Sequence, residues 1–258
     1  MKLYLLKSGT APDMPREAIL AETGILDPKD VIPIPTTTYL IDHPDGKVLY
    51  DTGWTRPERF PQSWEVPEDE KMVNSLAKIG VTPDDIKYVV CSHLHLDHAG
   101  NLDYFKNSEI MVSEAELTQV AKYYFMKKIP GGYIKADLDE WVRIGLKWNL
   151  VKETEEPVKL LDGISMLSFG SGHAFGMLGL LIELPKAGNI ILTSDAIYCR
   201  ENAGPPVRLP GLVFDKEGYI HTVDRIHELA KKYHAQIWFS HDQAQYLEII
   251  HPSKGYYE

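Results

Sequence analysis

The chain has 258 residues, of which 44% are hydrophobic and 25% charged, the balance of an ordinary soluble globular enzyme with a sizeable core. Its net charge is −10, and it carries no Lys/Arg cluster. Nucleic acid is therefore a poor partner, because phosphate binding draws most of its affinity from basic side chains, and so is an anionic membrane surface.

The N-terminal apolar run is interrupted by Lys7 and Ser8, too early for a signal-peptide core, and is expected to be a first strand over residues 2–7. β-Branched and aromatic runs bounded by turn residues predict further strands at 36–42, 47–51, 88–92, 110–113, 164–169, 178–184, 189–193 and 236–240. Asp45-Gly46 predicts a hairpin turn between the second and third strands. Gly188-Asn189 marks a similar reversal.

Apolar residues at helical spacing predict a helix over 68–79, ended by Gly80. A second begins at Glu114, with Ser113 as its N-cap and Glu116 at the capping-box position. A third spans 219–233, where Ile220, Val223, Ile226, Leu229 and Ala230 form one stripe. His221, His227 and His234 belong to this helix as surface or packing residues. Residues 121–150, rich in aromatics and containing Gly131-Gly132, read either as a helical hairpin packed into the core or as a lid over a site.

No stretch reaches the apolar length needed to span a bilayer. The two cysteines, Cys91 and Cys199, form no disulfide framework, and a cytoplasmic location is expected. The order of elements suits two mixed sheets packed face to face with helices outside, in a single domain covering 1–258 with 121–150 as an insertion near the site.

The densest chemistry is His93-Leu94-His95-Leu96-Asp97-His98, directly after the apolar run Tyr88-Val89-Val90-Cys91. Three imidazoles and a carboxylate in six residues would be costly to gather without a cation. An extended segment turning into a helix can aim His93 and His95 one way and Asp97 and His98 another, enough for two metal ions. Further donors stand at the ends of apolar runs: His173 in Ser-Gly-His, Asp195 after residues 190–194, and His241 after residues 237–240.

Taken with Asp51-Thr52-Gly53 and Ala99-Gly100, this ordered set resembles the metallo-β-lactamase superfamily. The resemblance implies an αββα sandwich with a dinuclear centre. His93, His95 and His173 would hold one ion, Asp97, His98 and His241 the other, and Asp195 would bridge them. Asp51 would orient the ligand loop from behind. Imidazole and carboxylate donors suit Zn²⁺, with iron, cobalt or manganese as alternatives. Two such ions share and activate a bridging hydroxide, which implies a hydrolase.

Within the superfamily the chain looks like the N-acyl homoserine lactonases. The segment Asp195-Ala196-Ile197-Tyr198 carries this most specifically, and the stretch Phe239-Ser240-His241-Asp242 adds to it. The resemblance implies opening of a small-molecule lactone, with Tyr198 as hydrogen-bond donor to the carbonyl and oxyanion and Asp97 as proton relay. Two departures bear on the substrate. Ser171 stands where the lactonases have Pro before Gly-His, and Met177 where they have a second His. Trp54, Phe60, Trp64, Phe175 and Met177 are candidate pocket walls, with Met14, Ile25 and Leu26 as additions. Alternatives are an aromatic-lactone hydrolase, a glutathione-type thioester hydrolase and a non-catalytic metal-binding protein.

Overall fold

Most of the apolar runs before residue 114 pair into one sheet, and those after residue 160 into another. The computed structural model describes residues 1–21, 30–62, 64, 66–249 and 255–258. Ile25 and Leu26 lie outside the described residues. Two compact units result: one from Met1–Gly9, Thr36–Lys152 and Ile250–Glu258, the other from Thr10–Pro35 and Glu153–Ile249.

The first unit holds most of a six-stranded sheet in sequence order, all but Thr10–Pro15 and Val31–Pro35: β1 (Lys2–Pro15), β2 (Val31–Asp42), β3 (Lys47–Tyr50), β4 (Ile86–Val90), β5 (Glu109–Ser113) and β6 (Lys147–Val151). β2 and β3 are antiparallel across the expected Asp45-Gly46 turn. From β3 to β6 the neighbours are parallel. Parallel neighbours need crossover connections, and helices α1 (Met72–Ala77), α2 (Glu114–Phe125) and α3 (Lys135–Ile144) lie in those between β3 and β4 and between β5 and β6. Val48, Leu49, Val89 and Val90 are fully buried, as parallel strands covered on both faces require.

The second unit has a five-stranded sheet in the order β11-β10-β9-β8-β7. Its strands are β7 (Val158–Leu161), β8 (Ile164–Gly170), β9 (Met177–Leu184), β10 (Gly188–Ser194) and β11 (Ala235–Phe239). β7 to β10 run antiparallel, and β10 pairs parallel with β11. The crossover before β11 carries α4 (Arg200–Ala203) and α5 (Lys216–Tyr233), and α6 (Gln243–Glu248) follows it. Tyr219, Val223, Ile226 and Leu229 of α5 bury against Leu167, Ile191 and Ile197.

Three expectations are corrected. The helix over 68–79 splits into a 3-10 turn at Glu68–Glu70 and the short α1, because Lys71 between them is extended (φ −56°, ψ 140°) and Glu70 is drawn to Lys7 (2.7 Å). α5 starts three residues earlier than expected, so Tyr219 takes the core-facing place and Ile220 is exposed. Ser113 occupies the N-cap of α2 without a side-chain hydrogen bond, and Glu116 turns inward to full burial instead of capping. Residues 121–150 contain the end of α2, α3 and most of β6. Tyr133, Leu138 and Trp141 are buried there, whereas Phe125 and Val142 are exposed.

The start of α5 is fixed by Asp215, whose carboxylate accepts the Gly218 N–H (3.0 Å) and the Ser171 hydroxyl (2.7 Å). These bonds, the backbone one foremost, hold its carboxyl below the usual range. The cap's contribution is therefore present above the unfolded carboxylate pKa and is lost as pH falls through the lowered folded value. Asp215→Ala should cost about 1 kcal/mol at neutral pH, read from chemical denaturation, and less at acid pH. An unchanged midpoint at both would remove the cap from the account.

Candidate metal centre

In the first unit, β3 and β4 end side by side, and the loops leaving the two strands meet. Asp51, just past β3, adopts φ +63°, an uncommon conformation for a non-glycine residue. Its buried carboxylate accepts the Ser92 N–H (2.7 Å), the Ser92 hydroxyl (2.8 Å) and His98 Nδ1 (2.9 Å). The Ser92 proton is thus spent on Asp51, so Ser92 Oγ accepts from His93 Nδ1 at 2.9 Å. Both rings keep Nε2 as their remaining donor atom. The His93 ring centroid lies 4.5 Å from that of His95 and 4.4 Å from that of His98. Asp97 Oδ2 stands 3.4 Å from His98 Nε2.

The loop carrying these ligands is gripped by the 121–150 segment. Leu96 N–H donates to the Gly132 carbonyl (2.9 Å), and the Tyr133 ring packs edge-on to His95 at 4.5 Å. Glu116 accepts from both Leu94 N–H (2.9 Å) and the Tyr133 hydroxyl (3.0 Å). A Cβ on Gly132 would meet His95 Nε2 at 2.7 Å, so only glycine allows this approach.

In the second unit, β10 and β11 end in parallel and present Asp195 and His241, while the loop after β8 presents His173. Each Asp195 oxygen faces a different imidazole: Oδ2 lies 3.4 Å from His173 Nε2, and Oδ1 lies 3.0 Å from His241 Nε2. Ser240 donates to the same Oδ1 (2.6 Å). His241 Nδ1 donates to the Pro35 carbonyl (2.8 Å) and His173 Nδ1 to the Leu212 carbonyl (2.9 Å). The Tyr198 hydroxyl is 3.0 Å from that same His173 Nδ1. Because the nitrogen already carries a hydrogen for Leu212, the phenol oxygen accepts a share of it.

These donor sets fit metal ions. Four histidines have Nδ1 engaged by an oxygen that fixes tautomer and ring orientation, the usual outer support of a ligating imidazole. A carboxylate offering one oxygen toward each of two imidazole nitrogens has the form of a bridging ligand. The sequence does not mark Ser92, Ser240, Glu116 and Tyr133 as supports of the ligands. The one signal for the two serines is that each directly precedes a histidine at a strand end.

Of the candidate pocket residues, Trp54 stacks on Trp64 at 6.2 Å and donates to Thr36 Oγ1 (2.8 Å). It lines a cavity of about 830 Å³ in the first unit together with Arg56, Pro61, Val66, Met72 and Tyr104. Phe60 is half-buried. Phe175 packs against Phe214 at 4.4 Å. Met177 lies in the apolar core of the second unit. Among the described residues, no helix is long and apolar enough to cross a membrane.

Donor residues of this kind, placed where strands end, define a metal-dependent hydrolase scaffold, and the chain belongs to the Metallo-beta-lactamase superfamily, which it matches over residues 31–226. It is similar to N-acyl homoserine lactonases. It is 34% identical to the N-acyl homoserine lactonase AiiB of Agrobacterium fabrum, over 100% of this chain and 99% of that protein. It is 31% identical to AttM of Azorhizobium caulinodans, with the same coverage. Its fold matches a crystal structure of a Bacillus thuringiensis AiiA variant with N-decanoyl-L-homoserine at the active site. The TM-score is 0.82 at 27% identity, covering 100% of this chain and 98% of that one. The αββα class expected from the sequence is borne out.

Proposed function

We propose that this chain is a lactonase that opens N-acyl homoserine lactones and so silences the signalling that uses them. In this reading the two donor sets share a pair of divalent ions: His93, His95 and His173 hold one, Asp97, His98 and His241 hold the other, and Asp195 lies between. Nitrogen and carboxylate donors favour Zn²⁺, with iron, cobalt and manganese as alternatives. Such ions supply an activated water and polarise the attacked carbonyl. The whole of residues 1–258 serves as one functional domain, with Tyr133 walling the site at His95. Two free buried cysteines support a reducing compartment, and we place the enzyme in the cytoplasm.

The observation that carries the reading is the buried Tyr198 hydroxyl, which stands 3.0 Å from Nδ1 of the ligand candidate His173. It donates to the lactone carbonyl and more strongly to the oxyanion as charge develops there. Asp97 takes a proton from the attacking water and delivers it to the ring oxygen as the C–O bond breaks. Water thus adds across the ester, giving the N-acyl homoserine carboxylate and one released proton. Trp54 and Trp64 offer an apolar wall to the acyl chain, at roughly 0.8 kcal/mol per buried methylene. Met177, being in the core, is left out of that wall.

The test is acid release by zinc-loaded protein on a panel of N-acyl homoserine lactones, an aromatic lactone, S-lactoylglutathione and a cephalosporin. Turnover of the N-acyl homoserine lactones is expected, and turnover of the thioester alone would overturn the proposal. Tyr198→Phe should lower kcat by roughly ten- to a hundredfold, somewhat below the loss on removing a strong oxyanion donor, with metal content intact. Unchanged kinetics would take Tyr198 out of the chemistry.

A further inference from the structure

We infer that Asp242 is a positioning residue whose carboxylate fixes the loop bearing Tyr198. The inference rests on the lactonase reading, and on Tyr198 as the donor within it. Asp242 directly follows His241 and is buried. Its two oxygens have separate partners. Oδ1 accepts the Gln245 N–H (2.7 Å) and caps α6. Oδ2 accepts both the backbone N–H and the Nε–H of Arg200, each at 2.9 Å.

Arg200 lies two residues beyond Tyr198. The His241 N–H donates to the Tyr198 carbonyl at 3.0 Å. The chain around Tyr198 is therefore held on both sides by consecutive residues, His241 at position 198 and Asp242 at position 200. Two anchors this close fix the tyrosine backbone relative to His241 and leave only side-chain torsions to place the hydroxyl. The ring centroid lies 5.1 Å from that of His173 and 5.3 Å from that of His241, so the tyrosine is wedged between two ligand candidates once its backbone is set.

The residue type is dictated by the donor count. Three N–H groups converge on one side chain, and a carboxylate has acceptor sites for all of them on two oxygens. Asparagine would turn its NH₂ toward one set of donors. Serine could still cap α6 but has one short oxygen and cannot serve Arg200 as well. Asp242→Ser therefore separates capping from loop positioning.

The experiment is a double-mutant cycle on zinc-loaded protein, with Asp242→Ser and Tyr198→Phe alone and together. It reads kcat and KM for an N-acyl homoserine lactone, bound zinc, and the denaturation midpoint. Asp242→Ser alone should lower kcat about five- to tenfold, with KM, zinc content and midpoint little changed. That loss stays below the one from removing a donor outright. In the Tyr198→Phe background it should change kcat by less than twofold. Additive losses, a loss of zinc, or an unchanged kcat in Asp242→Ser would each overturn the inference while leaving the lactonase reading in place. A silent Tyr198→Phe would instead remove the tyrosine's role, and the inference with it. Should Asp242→Ser fail to fold, Arg200→Met keeps the backbone bond and removes only the guanidinium. A smaller kcat loss that again vanishes in Tyr198→Phe is expected, and an additive one refutes the coupling.

Discussion

Asp195→Ala should reduce kcat/KM for N-acyl homoserine lactones by at least about a thousandfold, well beyond the roughly 10–100-fold typical of losing an outer partner of a ligand. The reason is that one side chain serves two imidazoles. Its oxygens stand 3.4 Å from His173 Nε2 and 3.0 Å from His241 Nε2, so its removal strips both of their common carboxylate. It also leaves the Ser240 hydroxyl, which donates at 2.6 Å, without its acceptor. Elemental analysis should find less than two ions per chain in the variant. Ser240→Ala is the companion measurement: it removes only the support of Oδ1 and should cost about tenfold with metal retained. Full metal content and unaltered kcat/KM in Asp195→Ala would refute the bridging role.

The residues of this site were legible for a physical reason. Donor side chains stand where apolar strands stop: Asp51 after β3, His93–His98 after β4, Asp195 after β10 and His241 after β11. An apolar run followed at once by His or Asp is a pattern that needs no alignment to see. The support behind those donors was not legible. Glu116 sits at the capping-box spacing from Ser113, and the same letters serve equally for an inward-facing acceptor. Only the approach of Leu94 and Tyr133 decides between them. β6 and β7 went unread because neither carries a buried apolar run: apart from Val151 their residues are half-buried or exposed, and Lys147, Asn149 and Lys159 interrupt the apolar ones. Residues 121–150 resisted a choice between core and lid because they are both in part: Trp141 is buried and Phe125 is 80% exposed.

Gly100→Ala should destabilise the protein by about 3 kcal/mol or more and weaken metal binding together with it. Overpacking usually costs about 1–3 kcal/mol, but here the added Cβ would fall on the backbone nitrogen and Cα of Thr55, where no side chain can swing aside. The crowding comes from the way the ligand loop lies on the segment after β3. Gly53 bridges to Ala99 in parallel. Thr52 N–H donates to the His98 carbonyl and Thr55 N–H to the Leu96 carbonyl, both at 2.6 Å, and Gly100 N–H donates to the Gly53 carbonyl at 3.0 Å. Asn101 Nδ2 closes the set on the carbonyls of Thr52 (2.8 Å) and Trp54 (2.9 Å). An alanine must part these two strands of backbone, giving up bonds worth about 0.5–1.5 kcal/mol each and moving His98 with them. Gly131→Ala is the control, since a Cβ there meets nothing within 4 Å, and its midpoint should shift by no more than about 1 kcal/mol. Chemical denaturation and zinc titration of the two variants side by side decide the matter: a Gly100→Ala protein as stable and as tightly metallated as Gly131→Ala would mean that the loop does not need this close approach to hold its ligands.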